Sequence, residues 1–477
     1  MNTNINPAIH DAGGVRPLVA RWTIQAKMVL ESAVHLGGGA GDIVDMVILR
    51  DERSGRPLLP GTSLAGALRS HLADVLGGYR SQEDKQVTAL FGGARGDDLG
   101  SQSPLIVFDS LGELPENEAL EIRDGVQIDP AWGIAEDKKK FDFEVLPAGT
   151  TFTLRFDLLV PDKEKEGTLI SLLVTALKGL AYGEIALGAR RSRGLGTMRA
   201  NRWRAIRYDL TTRDGWLRWL LSDHKLSFPG NEASSSPAEA CRNAYSDINL
   251  QRFEDKRKRI VAELELHIDG SLLIRSAPGV PDAPDVVHLH SAGRPVLPGT
   301  SLAGALRSHA LKVARLMRAD DGEQLVTQLF GPRLEGTASE DFKPAASKIR
   351  ISESFIENSD KRRQTRIAVD RFTGGVIKGA LFDEQVQRGG ILKIRIEVRN
   401  PTEEETGLLI LLIRDFLSGE ISVGGGSSVG RGMLKGTGKI SFPDGQNVII
   451  SKNLQVSDQD REILDGKIKA FAQGGNG

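Results

Sequence analysis

Leu58 to His71 reads LLPGTSLAGALRSH, and Val296 to His309 reads VLPGTSLAGALRSH. Thirteen of fourteen positions agree at a spacing of 238 residues. Chance does not place such a match twice in one chain, so the polypeptide holds two copies of one unit. The likeness extends outward in fixed order. Ala89–Gly92 pairs with Gln328–Gly331, and Ser103–Ser110 with Ser347–Ser354. Ile128-Asp129 pairs with Val369-Asp370, and Phe152–Leu158 with Leu392–Val398. The glycine-rich run Leu187–Gly196 pairs with Val423–Gly432. Two repeats are too few for a solenoid, which needs at least about three, so each copy reads as a whole domain.

Each copy opens with period-two alternation, at Val19–Leu30 and Ile260–Ile268, which is strand patterning. The Pro-Gly-Thr-Ser block then turns the chain into a helix, with Thr or Ser expected as its N-cap. Leu64, Leu68, Leu72 and Val75 follow at helical spacing, as do Leu302, Leu306 and Val313. Strands follow at Phe152–Leu158 and Leu392–Val398, then apolar helices at Thr168–Leu177 and Thr406–Arg414, then the glycine-rich loop and a last strand. The sum is β-α-β-β-α-β twice: an α+β chain of two tandem ferredoxin-like (RRM-like) domains. The expected boundaries are 1–207, a linker with a short helix over 208–255, and 256–477. The linker rests on the polar Ser/Pro run after Asn231, and its helix on Trp216–Leu221.

The chain has 477 residues and a formal net charge of −1, which by itself points neither toward nor away from nucleic acid. Distribution says more. Ile185–Arg207 holds seven arginines and no acid, and Ile421–Pro443 holds Arg431, Lys435 and Lys439 and no acid. Such stripes are what a phosphate backbone requires. The single cysteine, Cys241, excludes an internal disulfide and fits a reducing compartment. The first residues lack an apolar signal segment, and no stretch has the length of a membrane span, so a cytoplasmic location without membrane partners is expected.

These residues resemble the RAMP superfamily of CRISPR-associated proteins, and in particular the backbone subunits of type III effector complexes. The resemblance rests on Ala33–Gly39, on the two Pro-Gly-Thr-Ser-Leu blocks, on each Leu-Phe-Gly, on Val369–Gly389 and on the terminal glycine-rich loops. A fused pair of such domains is similar to the tandem subunits of the III-D group. The resemblance implies a chain that lies along a guide (CRISPR) RNA beside other backbone and large subunits. It implies an inserted thumb hairpin in each copy, at Gln127–Val145 and Ala368–Val386, that kinks the guide. A guide is held through phosphate and sugar because its sequence varies. The candidate contacts are Arg69, Arg307, Ser63 and Ser301 on the repeated helices. From the glycine-rich loops come Gly188, Arg190, Arg191, Arg193, Gly194, Gly425, Ser427, Gly430 and Arg431, and from the second thumb Arg371. Read without the resemblance, a lone helical arginine is a solvated face and a glycine-rich loop is a tight turn.

The resemblance further implies metal-dependent cleavage of complementary target RNA by one loop aspartate per copy, with Mg2+ or Mn2+ as cofactor. Aligning the strand that follows puts that aspartate, the metal ligand, on Asp45 and Asp285, with Asp42 and Asp282 as alternatives three residues earlier. Loop aspartates are otherwise turn formers. His35 lies ten residues before Asp45 and is a candidate for RNA contact or proton transfer; Arg275 holds the matching place before Asp285. His288 and His290 share one face of a strand, either near the second site or as an exposed pair. Three other readings stand beside this one. The first is a non-cutting scaffold of the same complex. The second is a histidine-based guide-processing nuclease. The third, a double RRM protein, is disfavoured by the low aromatic content of 5%.

Overall fold

A computed structural model describes residues 18–41, 44–93, 102–129, 135–222, 233–278, 283–332 and 345–474. The chain forms two compact units, one of Met1–Leu120, Glu144–Ala189 and Gly196–Arg257, the other of Glu121–Phe143, Arg190–Leu195 and Lys258–Gly477. The hairpin of the first copy and the tip of its glycine-rich loop therefore belong to the second unit.

The first unit is built on an antiparallel sheet whose order is Met198–Asp209, Ala20–Leu30, Thr151–Val160 and then Leu105–Val107 with Ser110–Glu113. That is the order of a ferredoxin-like unit, with the opening strand in the middle. Alternation puts Trp22, Ile24, Ala26 and Met28 on the inner face, all fully buried, opposite Phe152, Leu154, Phe156 and Leu158. The helices Gly61–Gly77 and Lys163–Ala181 cover this face through Leu64, Leu68 and Leu72 and through Ile170, Leu173 and Leu177. Burying a Leu-sized side chain contributes about 1.5–3 kcal/mol, so these positions carry the sheet–helix layer.

The repeated helix is not capped by Thr or Ser. Its N-cap is Pro60, without a side-chain cap, and the Gly61 N–H donates to the Asp109 carboxylate at 2.6 Å. Gly61 is required there because a Cβ would stand 2.2 Å from the Val107 carbonyl oxygen. Helix and strand pass too closely for any other residue.

The 208–255 segment, expected as a linker with one helix, holds two helices packed on the first unit. In Arg213–Leu220, Trp216 donates to the Leu210 carbonyl at 2.7 Å, and Trp219 lies under the Arg21 guanidinium at 4.7 Å on the outer sheet face. In Pro237–Ala244, Ala240 and Cys241 enter the core, and burial pushes the Cys241 thiol up to about 12. Asn231 and Glu232 of the polar run lie outside the described residues.

The second unit repeats the sheet as Ile349–Ile351, Ile391–Arg399, Arg259–Asp269, Met433–Ser441 and an added edge strand Asn447–Ile450. Its helices Gly299–Met317 and Glu403–Ser418 cover the inner face, the latter opened by a capping box of Thr402 and Glu405. A last helix, Asp458–Gln473, has no counterpart in the sequence reading. It lies on Glu403–Ser418 so closely that a Cβ on Gly407 would be 2.3 Å from the Lys467 carbonyl, and it buries Phe471.

Both hairpins exist and begin earlier than expected. They pair Glu121–Ile128 with Ala135–Val145 and Asp360–Val369 with Val376–Arg388. In the second, the ladder runs from Asp360↔Arg388 to Val369↔Val376, so the lower rungs belong to the same ribbon. Among the described residues, no helix is long and apolar enough to cross a membrane.

Candidate nucleic-acid interface and the loop aspartates

Asp285 stands at the foot of the second hairpin. The short strand Val286–His288 pairs in parallel with the hairpin, Val286 beside Glu384, and the exposed Asp285 carboxylate accepts from the Asp383 N–H at 3.0 Å. The Arg363 guanidinium holds the Asp383 carboxyl below its usual range and donates to it at 2.6 Å. Asp45 is likewise exposed and precedes the strand Val47–Ile48. There the Glu144 N–H donates to the Met46 carbonyl at 2.9 Å, and the Ile48 N–H donates to the Glu144 carboxylate at 3.1 Å. Each aspartate thus sits just before a strand, Asp45 by two residues and Asp285 by one, that touches the hairpin at a glutamate, Glu144 or Glu384. Asp45 to Asp285 and Glu144 to Glu384 are both separated by 240 residues. Asp42 and Asp282 lie outside the described residues.

His35 is buried at 5% exposure. Its Nδ1 is 2.7 Å from the Glu144 carbonyl oxygen, and its own carbonyl accepts from the Ala189 N–H at 3.0 Å. It ties the hairpin foot to the glycine-rich loop. Arg275 reaches the same foot in the second copy, 3.6 Å from the Glu384 carboxylate. His288 is enclosed, at 1% exposure, which corrects the reading of an exposed histidine pair. The Ile274 N–H donates to its Nδ1 at 3.2 Å, and its Nε2 lies 3.1 Å from the Val296 carbonyl. Burial first, and then the neighbouring His290, lower its pKa to about 4.

The glycine-rich loops use several of their glycines on internal approach. A Cβ on Gly188 would be 2.3 Å from the His35 carbonyl oxygen, and one on Gly194 2.4 Å from the Glu353 N–H. Gly425 donates its N–H to Leu273 at 2.8 Å and Gly430 to Ser427 at 3.1 Å. Ser427 and Gly430 are exposed, as are Ser63, Arg191 and Arg193; Ser301 is half-buried.

The arginines divide. Arg69 makes a two-pronged pair with Glu83, its Nε 2.9 Å from the carboxylate, and Arg307 is half-buried on the matching helix. Arg190 stacks on Phe141 and Phe143 at 4.6 and 4.0 Å, and burial, with Arg193 nearby, lowers its pKa to about 10. Arg431 is buried and donates to Glu384 and Gln364, each at 2.6 Å, so it braces the hairpin from within. Arg371 is exposed at the tip of the second hairpin, 5.0 Å over the Phe372 ring. That tip turns on Asp370, which accepts the N–H groups of Phe372 and Thr373 at 3.0 and 2.7 Å.

Two contacts had no place in the sequence reading. Arg123 on the first hairpin donates to Glu353 at 3.2 Å, with both side chains buried. Glu121 accepts from the Ser291 hydroxyl and the Ala292 N–H, each at 2.9 Å.

Among the described residues, no three His, Cys, Asp or Glu side chains gather around a common point where a metal ion would sit. Magnesium is compatible with this, since it keeps several waters and takes one or two carboxylates together with substrate phosphates. Asp45 and Asp285 fit as single exposed ligands.

Two ferredoxin-like domains, each with a hairpin rooted beside an exposed aspartate and a glycine-rich closing loop, define a duplicated α+β class of protein. The family model of the RAMP superfamily matches residues 27–199 and 266–435, and the chain belongs to that superfamily. RAMP proteins are CRISPR-associated and RNA-binding, and some of them are ribonucleases. No curated protein matches the chain.

Proposed function

We propose that the chain is a tandem backbone subunit of a type III CRISPR effector, binding a guide RNA and cutting the target RNA paired to it, once per copy. The observation that carries this reading is the shared placement of Asp45 and Asp285 at the feet of the two hairpins. A hairpin inserted into a guide–target duplex splays the strand at its foot, where a carboxylate meets the displaced phosphodiester. The 2′-hydroxyl of the displaced nucleotide is the nucleophile: it gives its proton to water and attacks the adjacent phosphorus, a 2′,3′-cyclic phosphate forms, and the 5′-oxygen of the next nucleotide leaves, taking a proton from water. The side chains of Asp45 and Asp285 would hold a divalent cation, which when bound would stabilise the negative charge that builds on the phosphate, and Glu144 and Glu384 keep the aspartate strand at its height on the hairpin. The exposed Ser63, Arg191, Arg193 and Arg371 supply sequence-independent contacts to the guide.

A non-cutting scaffold of the same complex is the second reading. Cleavage of a guide-complementary RNA by the assembled complex, with Mg2+ or Mn2+, separates the two. Asp45→Ala and Asp285→Ala are each expected to erase one distinct product while RNA binding persists. If the double variant yields every product, the chain is a scaffold or the cutting aspartates are Asp42 and Asp282.

A further inference from the structure

Each copy places a carboxylate on the outer face of its sheet, turned from the helices. These are Asp157 and Glu397, at matching positions and at 0% and 7% exposure. In the first unit Asp157 is closed in. Arg21 and Arg155 donate to it at 3.2 and 3.1 Å, Arg21 is capped by Trp219 at 4.7 Å, and Arg155 lies over Phe108 at 4.5 Å. Two guanidiniums and aromatic covers leave little charge to offer a ligand.

The second unit departs at two positions. Arg350 stands opposite Glu397 where the first copy sets Ile106 opposite Asp157. Arg399 stands opposite Arg259 where the first copy has Leu159 opposite Arg21. Arg399 bonds Glu397 at 3.1 Å and Arg395 bonds Glu263 at 3.1 Å, with 37% and 46% of the two arginine side chains still open to solvent. The turn Arg191–Arg193, also part of this unit, lies against the strand Ile349–Ile351 and brings the exposed Arg191 to the same edge. Arg350 feels all of this. Burial pushes its pKa down, Glu397 opposes that, and Arg399, Arg395 and Arg191 add to the depression. Four arginines set against two acids, the buried Glu397 and the exposed Glu263, leave an excess of positive charge that an anion relieves, and guanidinium forks match phosphate oxygens.

We propose that Arg191, Arg350, Arg395 and Arg399 form a phosphate-binding site for a nucleic-acid strand on the outer sheet face of the second unit, built on other strands than the hairpin foot. The site shares Arg191 and the class of ligand with the guide contacts proposed above, and it stands whether or not the chain cuts.

The test uses the full chain carrying Asp45→Ala and Asp285→Ala, so that cleavage plays no part, and a labelled oligouridine single strand as probe. Arg395→Ala removes a solvent-reaching charge that the guide contacts proposed above do not include and leaves the Glu397 clasp in place; a matching Tm verifies the fold. Expected are an affinity about tenfold lower and a log–log salt dependence flattened by about 0.7 per lost contact. An unchanged affinity and slope overturns the site. Competition by polyglutamate as effective as that by unlabelled oligouridine overturns the nucleic-acid assignment.

Discussion

The imidazole of His288 is held neutral between the Ile274 N–H and the Val296 carbonyl. Its pKa of about 4 in the fold lies below the ordinary value of 6.5, so the unfolded chain binds the proton more readily. The stability it contributes is complete above about pH 6.5 and is lost as pH falls toward 4, on the order of 3 kcal/mol in all. Denaturant unfolding across that range is expected to show this slope, and His288→Gln to flatten it. Arg123 and Glu353 form a second sensitive pair. Glu353→Gln takes from a buried guanidinium the nearer of its two counter-charges, leaving Glu121 at 3.4 Å, and a loss of about 3 kcal/mol is expected in the same measurement. At this scale the sequence was legible where an alignment of the copies could speak. It placed Asp45 and Asp285, and the same 240-residue spacing would have found Glu144 and Glu384. It could not tell an arginine left open to solvent from one that braces the fold. Arg431 and Arg190 look like Arg191 in sequence, yet the first is buried on Glu384 and the second stacks on two phenylalanines.

The hairpins show the same division among elements. Their tips were legible from the matched Ile128-Asp129 and Val369-Asp370. Their lower halves were not, because Glu121–Val126 and Asp360–Arg366 are largely charged and offer no apolar alternation. The second hairpin leaves Ile367, Val369, Phe372, Val376, Leu381 and Phe382 open to solvent, Phe372 at 85%. Beside them stand Lys361, Arg362, Arg363, Arg366 and Arg371. Apolar wedges flanked by cations are suited to unstacking a base step and gripping its phosphates. Arg371→Ala with Phe372→Ala is therefore expected to weaken guide RNA binding about tenfold in a filter assay. Because both side chains are exposed, unfolding free energy is expected to change by no more than about 0.5 kcal/mol. The helix start was misread for a different reason. Thr and Ser are strong caps in general, but here the tight pass of Gly61 over Val107 lets the distant Asp109 do that work.

At the scale of the whole molecule, duplication made the fold readable and divergence made the site hard to read. The two sheets share their strand order, while the outer faces differ: Trp219 closes one, and Arg350 and Arg399 charge the other. The division into units also cuts across the repeat, since the polypeptide passes from one compact unit to the other five times. A gene divided at the seam between the copies would yield a second half lacking one ribbon and one loop that complete its own body, and a first half carrying them with nothing to lie on. Melting is accordingly expected as one calorimetric transition, whose van't Hoff and calorimetric enthalpies agree. The halves, expressed apart, are expected to be poorly soluble and to recover RNA binding only when produced together. The seam of the duplication is thus not the seam between the folded bodies.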